Sequence, residues 1–316
     1  MSRRSSVIVA EPQDFSRSAM EILGRVADVR LEAVGTEGVR QALRDHEVFW
    51  FRLGHRIGEA VFTDGMRCRI IATPVTGLDH IDLEACEAHG VRVMSLRGET
   101  EFLKEVRATA EHTVGLALAL LRQIPTAATS VKEGHWDRDR FRGRELYGKT
   151  AGVIGVGRLG NIVADLLGAF GMSVIGYDPR VDLPAGVERV ESLEELLGRA
   201  DVVSLHASYE QGQGHLLGAE QLMAMKPGSI LINTARGGLV DEVALLAQLR
   251  SGHIGGCALD VLEAEPQIGK DHPLVTHARE HSNLLITPHL AGNTWESFEK
   301  TEVFLAEAVA GVLAVG

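Results

Sequence analysis

The feature that most constrains this chain is an alternation that occurs twice. Short apolar runs such as "SVIVAE", "VFWFR" and "CRIIATPVT" are separated by amphipathic segments such as "FSRSAMEILGRVA" and "TEGVRQALRDH". From Thr150 the same rhythm restarts with "TAGVIG", "MSVIGYD", "DVVSLHA", "SILINTA", "GGCALDV" and "NLLITPH". Strands of four to six residues separated by helical patterns predict βαβ units and parallel sheets. At 316 residues the chain exceeds a usual single core, so two domains are expected. After His289, "TWESFEKTEVFLAEAVAGVLAV" reads as one terminal helix, free to pack back on the first domain. The predicted fold is therefore α/β, with two doubly wound, parallel-sheet, Rossmann-like domains. The smaller one is split in sequence: residues 1–98 and the terminal helix of 291–316 surround a continuous domain at 99–290.

Between the two alternations lies an Ala- and Leu-rich stretch, Glu101 to Ile124, ahead of Pro125. Its length and apolar breadth predict a single helix, stopped by the proline and buried between domains or subunits. Lys104, Glu105, Arg107 and Glu111 interrupt it, so it does not read as a membrane span. The apolar run after "MSRR" is too short for a signal peptide. A formal net charge of -11 argues against broad contact with nucleic acid or an anionic membrane, which reward basic stripes. Cys68, Cys86 and Cys257 stand singly, without paired metal-ligand spacing, so no metal site and a cytoplasmic, reducing setting are expected.

"GVIGVGRLGNIVADLLGAFGMSVIGYDP" places Gly155, Gly157 and Gly160 in G-x-G-x-x-G spacing between a strand and a helix. The first glycine suits a tight turn, the second a close pyrophosphate, the third helix–strand packing. Asp178 follows eighteen residues past Gly160, at the end of the next strand. There a carboxylate accepts hydrogen bonds from ribose hydroxyls and repels a 2′-phosphate, which favours NAD over NADP. Arg180 nearby works in the other direction.

Arg236, Glu265 and His289 each stand at or shortly after the end of a strand-like run in the second alternation. The carboxyl ends of a doubly wound parallel sheet converge on the ligand crevice, so the three share an address. Singly, each has an ordinary structural explanation; together, downstream of a dinucleotide motif, they point to catalysis.

"GVIGVGRLG" with "YDP", "NTARGGLVDE", "ALDVLEAEP" and "TPHLAG", in this order, resemble the D-isomer-specific 2-hydroxy acid dehydrogenases. "VKEGHWDRDRFRGRELYGKTAGVIGVGRLG" is similar to the phosphoglycerate dehydrogenase branch. The resemblance implies an NAD-dependent enzyme interconverting a small D-2-hydroxy acid and its 2-oxo acid, a homodimer joined near the long helix. Arg236 would clamp the substrate carboxylate, with Gly237 and Gly238 keeping that turn thin enough for substrate and nicotinamide. His289 would exchange a proton with the substrate oxygen, and Glu265 would orient the imidazole. Asp260 would bind the nicotinamide carboxamide, and Arg158, Leu159, Ala207, Thr234, Ala235 and Gly292 complete the implied cofactor set. Backbone N–H groups of Thr76 and Gly77, in "TPVTGLDHID", would receive the substrate carboxylate, unless the glycine merely serves the turn. Arg52 reads either as a binder of a distal phosphate or phosphonate or as a solvent-facing strand end.

Two places depart from the family pattern. "SLRGETEFLKEVRATAEHT" is longer and more charged than usual, so Arg97, Lys104 and Arg107 either shape substrate choice or decorate a helix. Ser208 stands where proline is common, beside Ala207. A chain ending with its terminal helix is also expected to lack the regulatory domains that some phosphoglycerate dehydrogenases carry. The alternative reading is a non-enzymatic NAD(H)-sensing scaffold of the co-repressor type.

Overall fold

The computed structural model describes residues 4–210 and 212–315, in two compact units: residues 1–106 with 293–316, and residues 107–292. Unit 1 contains β1 (Ser5–Val9), α1 (Arg17–Val26), β2 (Ala27–Leu31), α2 (Val39–Asp45), β3 (Val48–Trp50), β4 (Ile70–Thr73), α3 (Leu83–Ala88), β5 (Arg92–Ser95) and α4 (Thr100–Leu103). Unit 2 contains α5 (Ala108–Leu121), α6 (Ile124–Lys132), β6 (Thr150–Ile154), α7 (Arg158–Ala169), β7 (Ser173–Tyr177), β8 (Glu188–Arg189), α8 (Leu193–Arg199) and β9 (Val202–Leu205). It continues with α9 (Ala219–Ala224), β10 (Ile230–Asn233), α10 (Glu242–Ser251), β11 (Gly256–Leu259), α11 (Pro273–Glu280) and β12 (Leu284–Ile286). The last helix, α12 (Trp295–Val315), returns to unit 1.

Both sheets are wholly parallel, in the orders β2-β1-β3-β4-β5 and β12-β11-β10-β9-β6-β7-β8. Strands β4, β9, β10 and β11 are buried along their whole length, which is why they read as unbroken apolar runs rather than alternating ones. Successive residues feed opposite faces. In unit 1, Ile8, Phe49 and Ile71 join one core, while Val7, Val9, Trp50 and Ala72 join the other with Leu305, Ala306 and Val309 of α12. Helix starts follow local chemistry: the side chains of Ser16, Asp82, Ser192 and Asp241 accept hydrogen bonds from the first turns of α1, α3, α8 and α10.

The return of α12 is fastened by a buried carboxylate. Glu302 is 0% exposed; its Oε2 accepts the Ser16 N–H at 2.7 Å, and its Oε1 pairs with Arg52 Nη2 at 2.6 Å. Burial raises the Glu302 carboxyl above the ordinary carboxylate range, and the Ser16 and Arg52 hydrogen bonds only partly restrain it.

Two expectations need correction. The unit boundaries fall after Val106 and Gly292 rather than after 98 and 290, because α4 belongs with α12: Phe102 stacks on Phe304 at 4.1 Å, and Lys300 Nζ donates to Glu105 O at 2.8 Å. The stretch from Glu101 to Ile124 is also not one helix. The helical run stops at Leu103, resumes at Ala108 and breaks again where Gln123 adopts φ 52°. Pro125 sits in the first turn of α6, where its missing N–H leaves nothing unsatisfied, so it starts a helix instead of stopping one. Unit 2 begins and ends in the same place: a Cβ built on Gly292 would lie 3.8 Å from Thr109 Oγ1.

Candidate active site

Strand β6 pairs with both β7 and β9 at the centre of the unit 2 sheet, the point where strand order reverses and a crevice opens at the carboxyl ends. The glycine turn lies there, and its three glycines do three different things. Gly155 has φ 84°, and a Cβ on it would fall 2.6 Å from Ala207 N. A Cβ on Gly157 would meet nothing within 4 Å, so that backbone is open to a ligand. Gly160 packs so closely that a Cβ would sit 2.0 Å from Gly155 O. Gly157 caps α7, and the following Arg158 and Leu159 are half-buried in its first turn. Burial lowers the Arg158 guanidinium from its usual value.

Asp178 stands just past the end of β7, one strand away, where Oδ2 accepts Val156 N–H at 2.9 Å and Oδ1 accepts Arg180 N–H at 2.8 Å. The carboxylate thus ties the glycine turn to the strand end. Open backbone at Gly157, the amino end of α7 and a carboxylate at the next strand form a cradle that fits an adenine dinucleotide. Ser208, at the proline position, accepts Arg180 Nη1 at 3.5 Å.

The adjacent strands β10, β11 and β12 deliver the three candidate catalytic residues on one side of the sheet. Asn233 pairs with Leu259, and Leu259 with Ile286, so the loops that follow leave at matched heights. After β10, Asn233 folds the Arg236 turn: its Oδ1 accepts Ala235 N–H at 2.9 Å and its Nδ2 donates to Arg236 O at 2.9 Å. Thr234 is buried, its hydroxyl 2.8 Å from that of Thr113 on α5. Arg236 Nη1 donates to Ala235 O at 2.8 Å.

The two glycines after Arg236 have a tighter reason than the one expected. A Cβ on Gly237 would lie 2.1 Å from Leu262 C and 2.2 Å from Glu263 N; one on Gly238 would strike the Tyr209 ring at 2.8 Å. They let the loop carrying Glu265 and the Tyr209 ring close directly onto the Arg236 turn.

His289 follows β12 with φ 52°, a left-handed conformation that costs a non-glycine residue about 1–3 kcal/mol. Asp260 imposes it. The Asp260 carbonyl accepts His289 N–H at 2.8 Å, Oδ1 accepts Thr287 Oγ1–H at 2.6 Å and Leu290 N–H at 2.9 Å, and Oδ2 accepts Ala291 N–H at 2.8 Å. Burial pushes the Asp260 carboxyl up, but His112, Thr287, Leu290 and Ala291 more than offset it and hold it below the usual value. Besides the contact to the nicotinamide carboxamide expected of it, Asp260 has a role that the spacing did not show: it folds the turn that presents His289. The outcome is one close pair: His289 Nδ1 lies 2.8 Å from Glu265 Oε1, both side chains half-buried.

Three contributors escaped the sequence reading. His112 on α5 reaches Thr287 Oγ1 at 3.2 Å and Asp260 Oδ1 at 3.5 Å; Thr287 and Asn233 are the others. Thr287 and Asn233 lie inside quoted motifs, so their spacing to His289 and Arg236 was a usable signal. His112 had none beyond its place on the Ala-rich helix. Among the described residues, no group of three His, Cys, Asp or Glu side chains is placed to hold a metal ion.

Unit 1 holds the other candidates except Arg107, the first residue of unit 2. Thr76 and Gly77 lie on the loop between β4 and α3, Thr76 exposed and Gly77 half-buried. Arg52 differs from expectation: besides Glu302, its guanidinium donates to Gln13 O at 2.9 Å and lies 4.2 Å over the Phe298 ring. These contacts make it part of the fastening of α12, a role that neither sequence reading of Arg52 gave it. Arg97, Lys104 and Arg107 are exposed, with Lys104 paired to Glu101 at 2.8 Å.

Comparison with known proteins agrees with this geometry. Residues 114–291 match the family model described as D-isomer specific 2-hydroxyacid dehydrogenase, NAD binding domain. The chain is 38% identical over 312 residues to D-3-phosphoglycerate dehydrogenase of Methanocaldococcus jannaschii, covering 97% of this chain and 57% of that protein. It thus spans little more than half the length of that relative. It is 32% identical to hydroxypyruvate reductase of Thermotoga maritima, with 97% of each covered. The crystal structure of D-lactate dehydrogenase from Aquifex aeolicus, complexed with NAD and lactic acid, superposes with a TM-score of 0.84 at 29% identity, covering 98% of this chain and 96% of that one. With the family's NAD-binding domain matched over most of unit 2 and a full-length relative above 30% identity, the chain belongs to the D-isomer-specific 2-hydroxyacid dehydrogenase family.

Proposed function

We propose that this protein is an NAD-dependent oxidoreductase that interconverts a small D-2-hydroxy acid and its 2-oxo acid. The observation that carries the reading is the His289–Glu265 pair, held by Asp260 beside the Arg236 turn at the same end of the sheet as the glycine cradle. Gly155, Gly157, Arg158, Leu159, Gly160, Asp178, Ala207, Thr234, Ala235, Asp260 and Gly292 would hold the coenzyme. When bound, its nicotinamide supplies or accepts the hydride.

The chain's own residues supply the rest. A carboxylate can only accept, so the Glu265 contact places a proton on Nδ1 of His289 and leaves Nε2 to exchange one with the substrate oxygen. Arg236 offers a permanent planar cation with a fixed fork of donors, which suits a carboxylate and a neighbouring oxo group. Thr76 and Gly77 are proposed to contribute backbone N–H groups to the same carboxylate. Asp178 disfavours a 2′-phosphate and so selects NAD.

The test is a panel of 2-oxo acids with NADH, namely glyoxylate, pyruvate, hydroxypyruvate and 3-phosphohydroxypyruvate with a phosphonate analogue, followed by nicotinamide absorbance. Turnover of at least one is expected. NADH binding with no turnover across the panel would move the reading to a coenzyme-sensing scaffold.

A homodimer in the cytoplasm completes the proposal. Ile124, Val131, Trp136 and Tyr147, on and after α6, are between 50% and 89% exposed, an apolar arm suited to a second copy of the chain. Light scattering should give twice the chain mass, and Trp136→Ser with Val131→Ser should reduce it to one. Cys68, Cys86 and Cys257 are unpaired and buried, as suits a reducing compartment. No single described helix is long and apolar enough to cross a membrane.

A further inference from the structure

Glu242 is the first residue of α10, yet it does not serve its own helix. Asp241 already caps α10, accepting Val243 N–H at 3.0 Å and Ala244 N–H at 2.9 Å. The Glu242 carboxylate instead reaches two residues far along the chain: Oε1 accepts Glu263 N–H at 2.8 Å, and Oε2 lies 3.3 Å from His272 Nε2. Both side chains of the second contact are well shielded, His272 at 15% and Glu242 at 16% exposed. His272 must carry its proton on Nε2 to make this contact; its buried Nδ1 has no hydrogen-bond partner.

Glu263 and His272 bracket the loop from β11 to α11, and Glu265 lies between them. A single carboxylate therefore holds both ends of the segment that carries the partner of His289. The inner side of the same segment rests on Gly237, whose missing Cβ admits the Leu262–Glu263 peptide. Glu265 N–H also donates to Leu262 O at 3.3 Å, so a shift of the Glu263 end is transmitted directly to Glu265. The remaining charged contact is weaker: His215 Nε2 lies 3.6 Å from Glu263 Oε1, with both side chains exposed to solvent.

We propose that Glu242, together with His272, is a positioning residue for proton transfer: by clamping both ends of the 263–272 loop it sets where Glu265 meets His289. This rests on the oxidoreductase reading above. A half-buried carboxylate that accepts a backbone N–H and faces an imidazole is a firm anchor, and displacement of a catalytic group by about 1 Å is enough to lower turnover by as much as ~100-fold. Sequence spacing hides the relationship, since the three residues belong to two separate motifs and a loop.

The test compares Glu242→Ala, Glu242→Gln and His272→Ala in the full-length protein with NADH and the best 2-oxo acid of the panel, each alone and combined with Glu265→Gln. Glu242→Ala should lower kcat roughly tenfold or more while the Kd for NADH stays unchanged, and Glu242→Gln, which keeps an acceptor for Glu263 N–H, should recover most of the loss. On the Glu265→Gln background, Glu242→Ala should cost nothing further, because the two act through one contact. Two readouts do not depend on turnover: amide exchange at Glu263, and the imidazole Nδ1–H resonance of His289. Both should loosen in Glu242→Ala and persist in Glu242→Gln. An equal loss of kcat on both backgrounds, or wild-type Glu263 exchange in Glu242→Ala, overturns the proposal. Should Glu242→Ala fail to fold, His272→Ala carries the same comparison, since it leaves the start of α10 intact. A wild-type chain that turns over nothing, with exchange and the resonance still responding to Glu242→Ala, sinks the reaction and leaves the loop clamp standing.

Discussion

His289 Nδ1 and Glu265 Oε1 lie 2.8 Å apart, joining the loop after β12 to the loop after β11. The contact fixes which imidazole nitrogen remains for a substrate. Replacing His289 with Asn removes the proton carrier and should lower kcat by about 10²–10⁴-fold, the usual worth of a general acid or base. Glu265→Gln, which keeps an acceptor but not the charge, should cost less. In both variants NADH affinity, measured by fluorescence titration, should stay at the wild-type value.

Asp178 should decide coenzyme choice. Asp178→Ala removes the carboxylate that would repel a 2′-phosphate and frees Val156 N–H, so NADH should bind more weakly and the preference for NADH over NADPH should narrow. Paired KM measurements with the two coenzymes check this, and an unchanged ratio would refute the ribose assignment.

Gly237 should tolerate no side chain. A Cβ there would meet the backbone of Leu262 and Glu263 at 2.1–2.5 Å, closer than real carbon contacts allow, and backbone yields less readily than a side-chain tip. Gly237→Ala should cost about 1–3 kcal/mol of stability by overpacking and lower kcat more than Gly252→Ala does. Urea melting and steady-state kinetics read the two effects separately.

Arg52 and Glu302 should behave as a structural pair. Removing only the arginine leaves a buried carboxylate without its counter-ion, which typically costs about 3–5 kcal/mol. Arg52→Met should therefore lower the urea midpoint strongly, and Arg52→Met with Glu302→Leu should regain much of it. If Arg52 instead bound a substrate phosphate, Arg52→Met would raise KM for 3-phosphohydroxypyruvate without a comparable effect on glyoxylate.

Acid should loosen both units. Burial lowers His206 in unit 2 to about 4, and likewise lowers His55 and His46 in unit 1. A histidine depressed in the folded state is protonated more readily when unfolded, so its contribution to stability is complete above pH 6.5 and declines as pH falls from there toward 4. Each such group contributes at most about 1.4 kcal/mol per pH unit in that window. Thermal melting between pH 7.5 and 4.5 should show a falling Tm, and His206→Asn should flatten the decline.

Much of this was legible because local rules act within a few residues. The turn at Gly155, the opening at Gly157 and the close packing at Gly160 each follow from one missing Cβ, and Asp178 follows from the strand that carries it. What stayed hidden depends on contacts between distant segments. Gly237 and Gly238 read as a thin turn beside Arg236, but the close approach of Leu262 and Tyr209 to them is invisible from spacing. Arg52 looked available until Glu302, 250 residues away, took its guanidinium. The helix break at Gln123 went unread because Pro125 serves equally to end one helix or begin another.

Thr109 and Gly292 stand side by side where unit 2 begins and ends. A segment whose two termini meet behaves as a cassette: it can be lifted from its host, closed on itself or spliced into a different scaffold without rerouting the chain. The stretch that matches the family's NAD-binding domain is therefore carried by one uninterrupted segment whose ends meet.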